Sequence, residues 1–236
     1  MSGFDVTQAL FRLIPMIFAL TVHEFFHAWT ASKLGDDTAV RQGRLTLNPL
    51  AHIDPIGTIL LPMVGMLTGA PFFGWAKPVP INPLQFTRRF RMKTGVLLTS
   101  AAGPLSNLVF GFLLAVVIGV IALVVGEQEL ALQLQDTHDL VGALIRLLGW
   151  TTLINIGLFV FNLIPIPPLD GSGVLAGFLP DRYHYILEAM SQYSFILFIL
   201  ILWVGGSLIS VPVLFILRLF VSLVGSPEVW VAIYRN

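Results

Sequence analysis

The chain has 236 residues, 56% of them hydrophobic and 11% charged, and thirteen basic and thirteen acidic side chains cancel to a formal charge of zero. That composition excludes an ordinary soluble domain and, with no basic stripe, argues against nucleic-acid binding. With no cysteine in the chain, any metal must be held by His, Asp, Glu or backbone oxygen.

A membrane-spanning helix needs about 20 apolar residues. Stretches 55–76, 94–126, 147–169 and 189–217 contain no Asp, Glu, Lys or Arg. The pattern predicts an all-α polytopic membrane protein with about five to six transmembrane helices, read here as one domain over 1–236. Helices are expected near 8–32, 94–125, 141–163, 188–209 and 212–225, with a shorter apolar stretch at 56–70 interrupted by Pro62 and glycines. The opening "MSGFDV" has no basic segment before the first apolar run, so that run is read as a retained helix.

The first helix carries "TVHEFFHAW" at 21–29. His23 and His27 stand at i and i+4, share one face, and can bind one zinc ion together, with Glu24 beside them as a general base. An ionisable group near the centre of a membrane helix costs about 2.5–3.5 kcal/mol or more, and such groups face a cavity or a partner. The plainer alternative makes both histidines neutral packing residues and lets Glu24 snorkel to the interface.

Loop charge then sets orientation. Connection 71–93 carries Lys77, Arg88, Arg89, Arg91 and Lys93 with no acid, whereas 126–140 carries Glu127, Glu129, Asp136 and Asp139 with no Lys or Arg. Basic loops stay on the cytoplasmic side, so the first faces the cytoplasm and the second the outside. If the first helix enters from outside, Lys33, Arg41 and Arg44 are inside as well. Segment 55–76 is too short to cross twice and is expected to be a re-entrant hairpin shielded by protein. A single full span at 56–73 would instead put the most basic loop outside. "GRLTLN" at 43–48 alternates as a strand does, and Pro78, Pro80 and Pro83 suit 74–83 to a sheet edge, giving a small β element near the cytoplasmic face. His52, beside Asp54, is read as a brace for the hairpin.

Helix 141–163 runs back toward the cytoplasm and leads into "FNLIPIPPLDG" at 161–171. Asp170 is the only acid between Arg146 and Asp181, in chain that prolines and Gly171 force out of helix. Taken alone, this is an ordinary helix stop with a solvated aspartate. The orientation derived from loop charge brings Asp170 to the depth of His23 and His27, which makes it the candidate third ligand of a zinc site that keeps one position open.

These motifs, with "GRLTLNPLAHIDPIGT" at 43–58, "GWAKPVPINP" at 74–83 and "AAGPLSNL" at 101–108, resemble the site-2 proteases, a family of intramembrane zinc metalloproteases. The resemblance implies that His23, His27 and Asp170 bind one Zn2+ per chain and that Glu24 is catalytic. It also implies that the bond cut lies in a transmembrane segment of a membrane-protein substrate, near the cytoplasmic face. Neither an inserted PDZ domain nor a CBS domain is visible, so the chain looks like a compact branch. Its control would fall to substrate pre-cleavage, a partner membrane protein or the lipid.

For the chemistry, Glu24 is expected to move the proton from water to the leaving nitrogen. Asn162, one turn before the proline break, is the expected oxyanion donor, with Asn107 as the other candidate; either amide also suits an interhelical hydrogen bond. The alternative from another class is a zinc-binding membrane transporter, but 94–126 and 189–217 hold no acid or histidine to line a path. A non-catalytic relative that only binds membrane proteins would not need Glu24. The expected setting is a bacterial or archaeal plasma membrane, with the site toward the cytoplasm.

Overall fold

The computed structural model describes residues 6–68, 73–89, 91–134 and 139–234; Asp136 and His138 of the acidic connection lie outside the described residues. Apolar chain in a bilayer satisfies its amides by closing them into helices, and the described residues do so. Helix α1 (Val6–Lys33) is followed by one turn, α2 (Thr38–Arg41), then by a π-helical turn at Pro55–Leu60 that continues into α3 (Leu61–Thr68). Helix α4 (Met92–Val125) follows; at about 51 Å by its helical rise, it exceeds the hydrocarbon layer. Next come α5 (Glu127–Gln133), α6 (Leu140–Asn162), α7 (Asp170–Phe178), α8 (His184–Gln192), α9 (Ser194–Val204), α10 (Gly206–Val224) and α11 (Pro227–Tyr234).

Among the described residues, α1, α4 and α6 are long and apolar enough to cross a membrane, and the bent pair α8–α9 makes a fourth if counted as one span. That makes three to four candidate spans among the described residues, where the sequence suggested five to six. The difference lies in the last third. The helix expected at 188–209 is two arms that meet at 72°. They join at Tyr193, which sits at φ −107°, ψ 13°, where polar Ser191, Gln192 and Ser194 interrupt the apolar run. The apolar part of α10, Leu208–Val224, falls short of a full span.

The two ends of segment 55–76 lie side by side. The Pro55–Thr68 helix leads away by about 20 Å, yet Trp75 N–H donates to Gly57 O at 3.2 Å and Lys77 N–H to His52 O at 2.9 Å. Thr58 Oγ1 closes the hairpin on Trp75 O at 2.7 Å. A chain crossing once could not set residue 75 beside residue 57. At the hairpin's base His52 acts through its backbone carbonyl, which accepts from Lys77 N–H, while its ring nitrogen Nε2 bonds Thr46 O at 2.9 Å outside the hairpin.

The expected β element is not seen: no strand occurs among the described residues. Segment 43–48 starts at Gly43 with φ +65°, and its polar groups close local bonds instead of a ladder. Asn48 N–H donates to Thr46 Oγ1 at 3.1 Å, and Arg44 turns inward to donate to Lys77 O at 2.6 Å. Residues 73–82 form neither helix nor strand, and join 57 and 52 by isolated backbone hydrogen bonds rather than as a paired strand.

Helix α4 is the hub, packing against α1, α6 and α7. Its buried residues include Gly95, Thr99, Gly103, Asn107, Gly111, Ala115 and Gly119, one every four positions. Such a stripe of small side chains lets neighbouring helices approach closely where burial of apolar surface provides no drive. Leu113, Val117, Val120, Leu123 and Val124 point away from it and are exposed, as lipid-facing side chains should be. Beyond Ala115 the stripe enters an apolar core with Leu130, Ile145, Phe220, Trp230 and Ile233, contributed by α5, α6, α10 and α11.

Candidate metal centre

Helix α1 presents His23 and His27 from one face, and their Nε2 atoms lie 3.0 Å apart. Asp170 Oδ2 is 3.0 Å from Nε2 of His23 and 3.2 Å from Nε2 of His27. Around a tetrahedral zinc with bonds of about 2.0–2.1 Å, neighbouring ligand atoms are about 3.3 Å apart. The triangle thus has nearly the edges of one face of such a site.

The hydrogen bonds behind the triangle say which atoms carry protons. His27 Nδ1 lies 2.7 Å from Thr99 O, a carbonyl that can only accept, so Nδ1 donates. His23 Nδ1 lies 2.6 Å from Asn107 Oδ1. The Asn107 amide nitrogen donates to Ala19 O at 2.9 Å and to Asn155 Oδ1 at 2.8 Å, which fixes the oxygen as the atom facing His23. With both Nδ1 atoms protonated, the Nε2 atom of each ring is the one turned toward the point where a carboxylate oxygen also aims, and it offers a lone pair there whenever the ring is neutral. Three acceptors this close repel one another unless a cation lies between them, so the donor set fits a metal ion.

Glycine makes the convergence possible. A Cβ on Gly103 would lie 2.3 Å from His27 Nε2 and 2.8 Å from His23 Cε1. On α7, a Cβ at Gly173 would meet Ser100 Oγ at 2.2 Å and one at Gly177 would meet Leu97 Cβ at 2.4 Å, so α7 seats directly on α4. Gly171 is hemmed by the carbonyls of Leu163 and Ile164, each 2.4 Å from a would-be Cβ. The turn carrying Asp170 into place includes a cis Pro167–Pro168 bond.

The three groups open onto a cavity of about 590 Å3 that Glu24, Trp75, Val79, Phe161 and Asn162 also line. Glu24 Oε2 accepts from Val79 N–H at 2.7 Å. Asn162 faces the cavity and gives one amide hydrogen to Leu158 O at 3.1 Å on its own helix. Asn107 does not face the cavity. It is fully buried behind His23, with its amide bonded to His23, Ala19 and Asn155.

Sequence reasoning did not single out Gly103, Thr99, Asn155 or Val79. The four-residue period of small side chains in α4 was a signal for the first two. Asn155 is a lone amide in an apolar helix and carries no further mark.

An H-E-x-x-H helix and a distant aspartate thus meet within a bundle of apolar helices as a group that could hold one metal ion. Residues 88–205 match the peptidase family M50. YwhC of Bacillus subtilis (strain 168), provisionally named a zinc metalloprotease, is 39% identical over 212 residues, which cover 86% of this chain and 85% of that protein. Rip2 of Mycolicibacterium smegmatis, provisionally named likewise, is 31% identical over 188 residues, 79% of this chain and 64% of that one. Rip2 of Mycobacterium tuberculosis (strain ATCC 25618 / H37Rv) is 30% identical over 191 residues, 80% of this chain and 65% of that one. No solved structure matches the chain. The chain belongs to peptidase family M50, the site-2 protease family.

Proposed function

We propose that this protein is an intramembrane zinc endopeptidase that hydrolyses peptide bonds within or near transmembrane segments of membrane-protein substrates. Its setting would be a bacterial or archaeal plasma membrane, with the catalytic site toward the cytoplasm. The observation that carries the reading is the convergence of two histidine nitrogens and one aspartate oxygen beside a glutamate in one cavity.

His23, His27 and Asp170 would hold one zinc ion per chain, and the ion when bound would supply Lewis acidity that makes water nucleophilic near neutral pH and polarises a carbonyl. Glu24 takes the proton of the attacking water and passes it to the leaving nitrogen. Val79 N–H holds one oxygen of that carboxylate and leaves the other for the proton. An amide nitrogen carries two hydrogens, so Asn162 keeps one for the developing oxyanion while the other stays on Leu158 O.

A helical substrate must unwind before its carbonyl can be attacked, and extended chain at 73–77 can hold it. Trp75 and Lys77 turn their N–H groups to their own hairpin. The alternate residues, Gly74 and Ala76, line the cavity and suit strand addition by an unwound peptide.

The test is reconstitution in lipid vesicles with a single-span substrate. Cleavage should stop on zinc chelation and resume on zinc addition. Zinc uptake into the vesicles without any cleavage would favour a transporter instead.

A further inference from the structure

Asp36 is a fully buried carboxylate that the mechanism above does not use. Charged groups are costly to bury, so its partners indicate what it is for. Oδ1 accepts from both the N–H and the hydroxyl of Thr38, and Oδ2 accepts from Asn82 N–H at 2.6 Å. The chain reaches this position through Gly35 at φ +103°, packed against Thr87, so the carboxylate turns beneath segment 78–82 at the end of α1.

That segment is stiff and sparing of donors. Pro78 and Pro80 have no N–H, and each restricts the residue before it to extended backbone. Val79 therefore offers the single amide hydrogen of the Pro78-Val79-Pro80 tripeptide, and that hydrogen goes to Glu24 Oε2 at 2.7 Å. The Val79 side chain packs with Ala28 and Ala39, which seats the tripeptide against α1 one turn beyond Glu24. Arg44 and His52 fix the upstream end at Lys77, and Asp36 fixes the downstream end at Asn82.

We propose that Asp36 is a positioning residue for Glu24: by anchoring Asn82 it holds the Pro78-Val79-Pro80 strap so that Val79 N–H orients the Glu24 carboxylate. The inference rests on the proteolytic reading for its kinetic consequence, but the hydrogen bond itself can be followed without turnover. Misorienting a catalytic group by about an ångström costs roughly 100-fold, and loss of an orienting partner roughly 10- to 100-fold.

The experiment compares full-length wild type with Asp36→Ala, Asp36→Asn and Glu24→Ala. It measures zinc content, amide exchange at Val79 and Asn82, and kcat and KM on a single-span substrate. Asp36→Ala should keep its zinc, lose protection at both amides, and lower kcat roughly 10- to 100-fold with KM little changed. Asp36→Asn, whose single side-chain oxygen can serve Asn82 or Thr38 but not both, should recover only part of kcat and of the Asn82 protection. Glu24→Ala should deprotect Val79 while leaving Asn82 protected. Wild-type kcat in Asp36→Ala, zinc loss in parallel with activity, a change in KM alone, or unchanged exchange at Val79 in Glu24→Ala would each overturn the proposal. Absence of cleavage by wild type would sink the proteolytic reading, and the amide-exchange results would still decide whether Asp36 and Val79 act on Glu24.

Discussion

Gly103 backs directly onto His27, with no room for even one carbon between α4 and the imidazole. Replacing it with alanine puts a methyl group where Nε2 and the neighbouring His23 ring now sit. Both rings must then move, and overpacking of this kind costs about 1–3 kcal/mol. Gly103→Ala should fold with reduced thermal stability and bind zinc at least tenfold more weakly. A competition titration with a chromophoric chelator reads this directly, and wild-type affinity would contradict the packing argument.

The Asn155–Asn107–His23 series predicts a graded effect. Asn107→Leu removes the acceptor that keeps the proton on Nδ1 of His23 and should weaken zinc binding roughly 10- to 100-fold. Asn155→Leu should cost less, because Asn107 keeps its bond to Ala19 O. The same titration ranks the variants; equal loss in both, or none in either, would show that the amides do not control the tautomer.

The motifs were legible because each is marked by residue type: two histidines at helical spacing, one glutamate between them, one aspartate after a proline break. Their meeting could be anticipated because Lys and Arg counts suggest which helix ends share a side. Depth and face are different matters. Asn107 could be read as an oxyanion donor or as an interhelical hydrogen bond, and its bonds to His23, Ala19 and Asn155 are of the second kind, because which side of α4 it occupies depends on how α1 and α6 pack against it. The count of candidate spans among the described residues is lower than expected where hydropathy alone governs. An apolar run of the right length at 188–209 says nothing of a 72° bend at Tyr193. "GRLTLN" alternates like a strand, but Arg44 and Thr46 satisfy backbone groups that a strand would have left for a partner.

The hairpin at 55–77 predicts that the segments on either side of it share one face of the membrane. The native chain has no cysteine, so single cysteines report without interference. Leu50 and Leu84 are 77% and 83% exposed and flank the hairpin. Leu50→Cys and Leu84→Cys should react with a membrane-impermeant thiol reagent from the same side, and Leu132→Cys on α5 from the other. Labelling of positions 50 and 84 from opposite sides would mean a full crossing and would detach the basic loop from the site.

The central claim is that Glu24 makes a peptidase of a zinc-holding helix bundle. It is tested most directly by purifying wild type, Glu24→Gln and Asp170→Ala, measuring bound zinc, and incubating each with a transmembrane substrate in vesicles. Wild type should hold one zinc and cleave; Glu24→Gln should hold one zinc and fail to cleave; Asp170→Ala should lose both. Cleavage that survives Glu24→Gln would contradict the account.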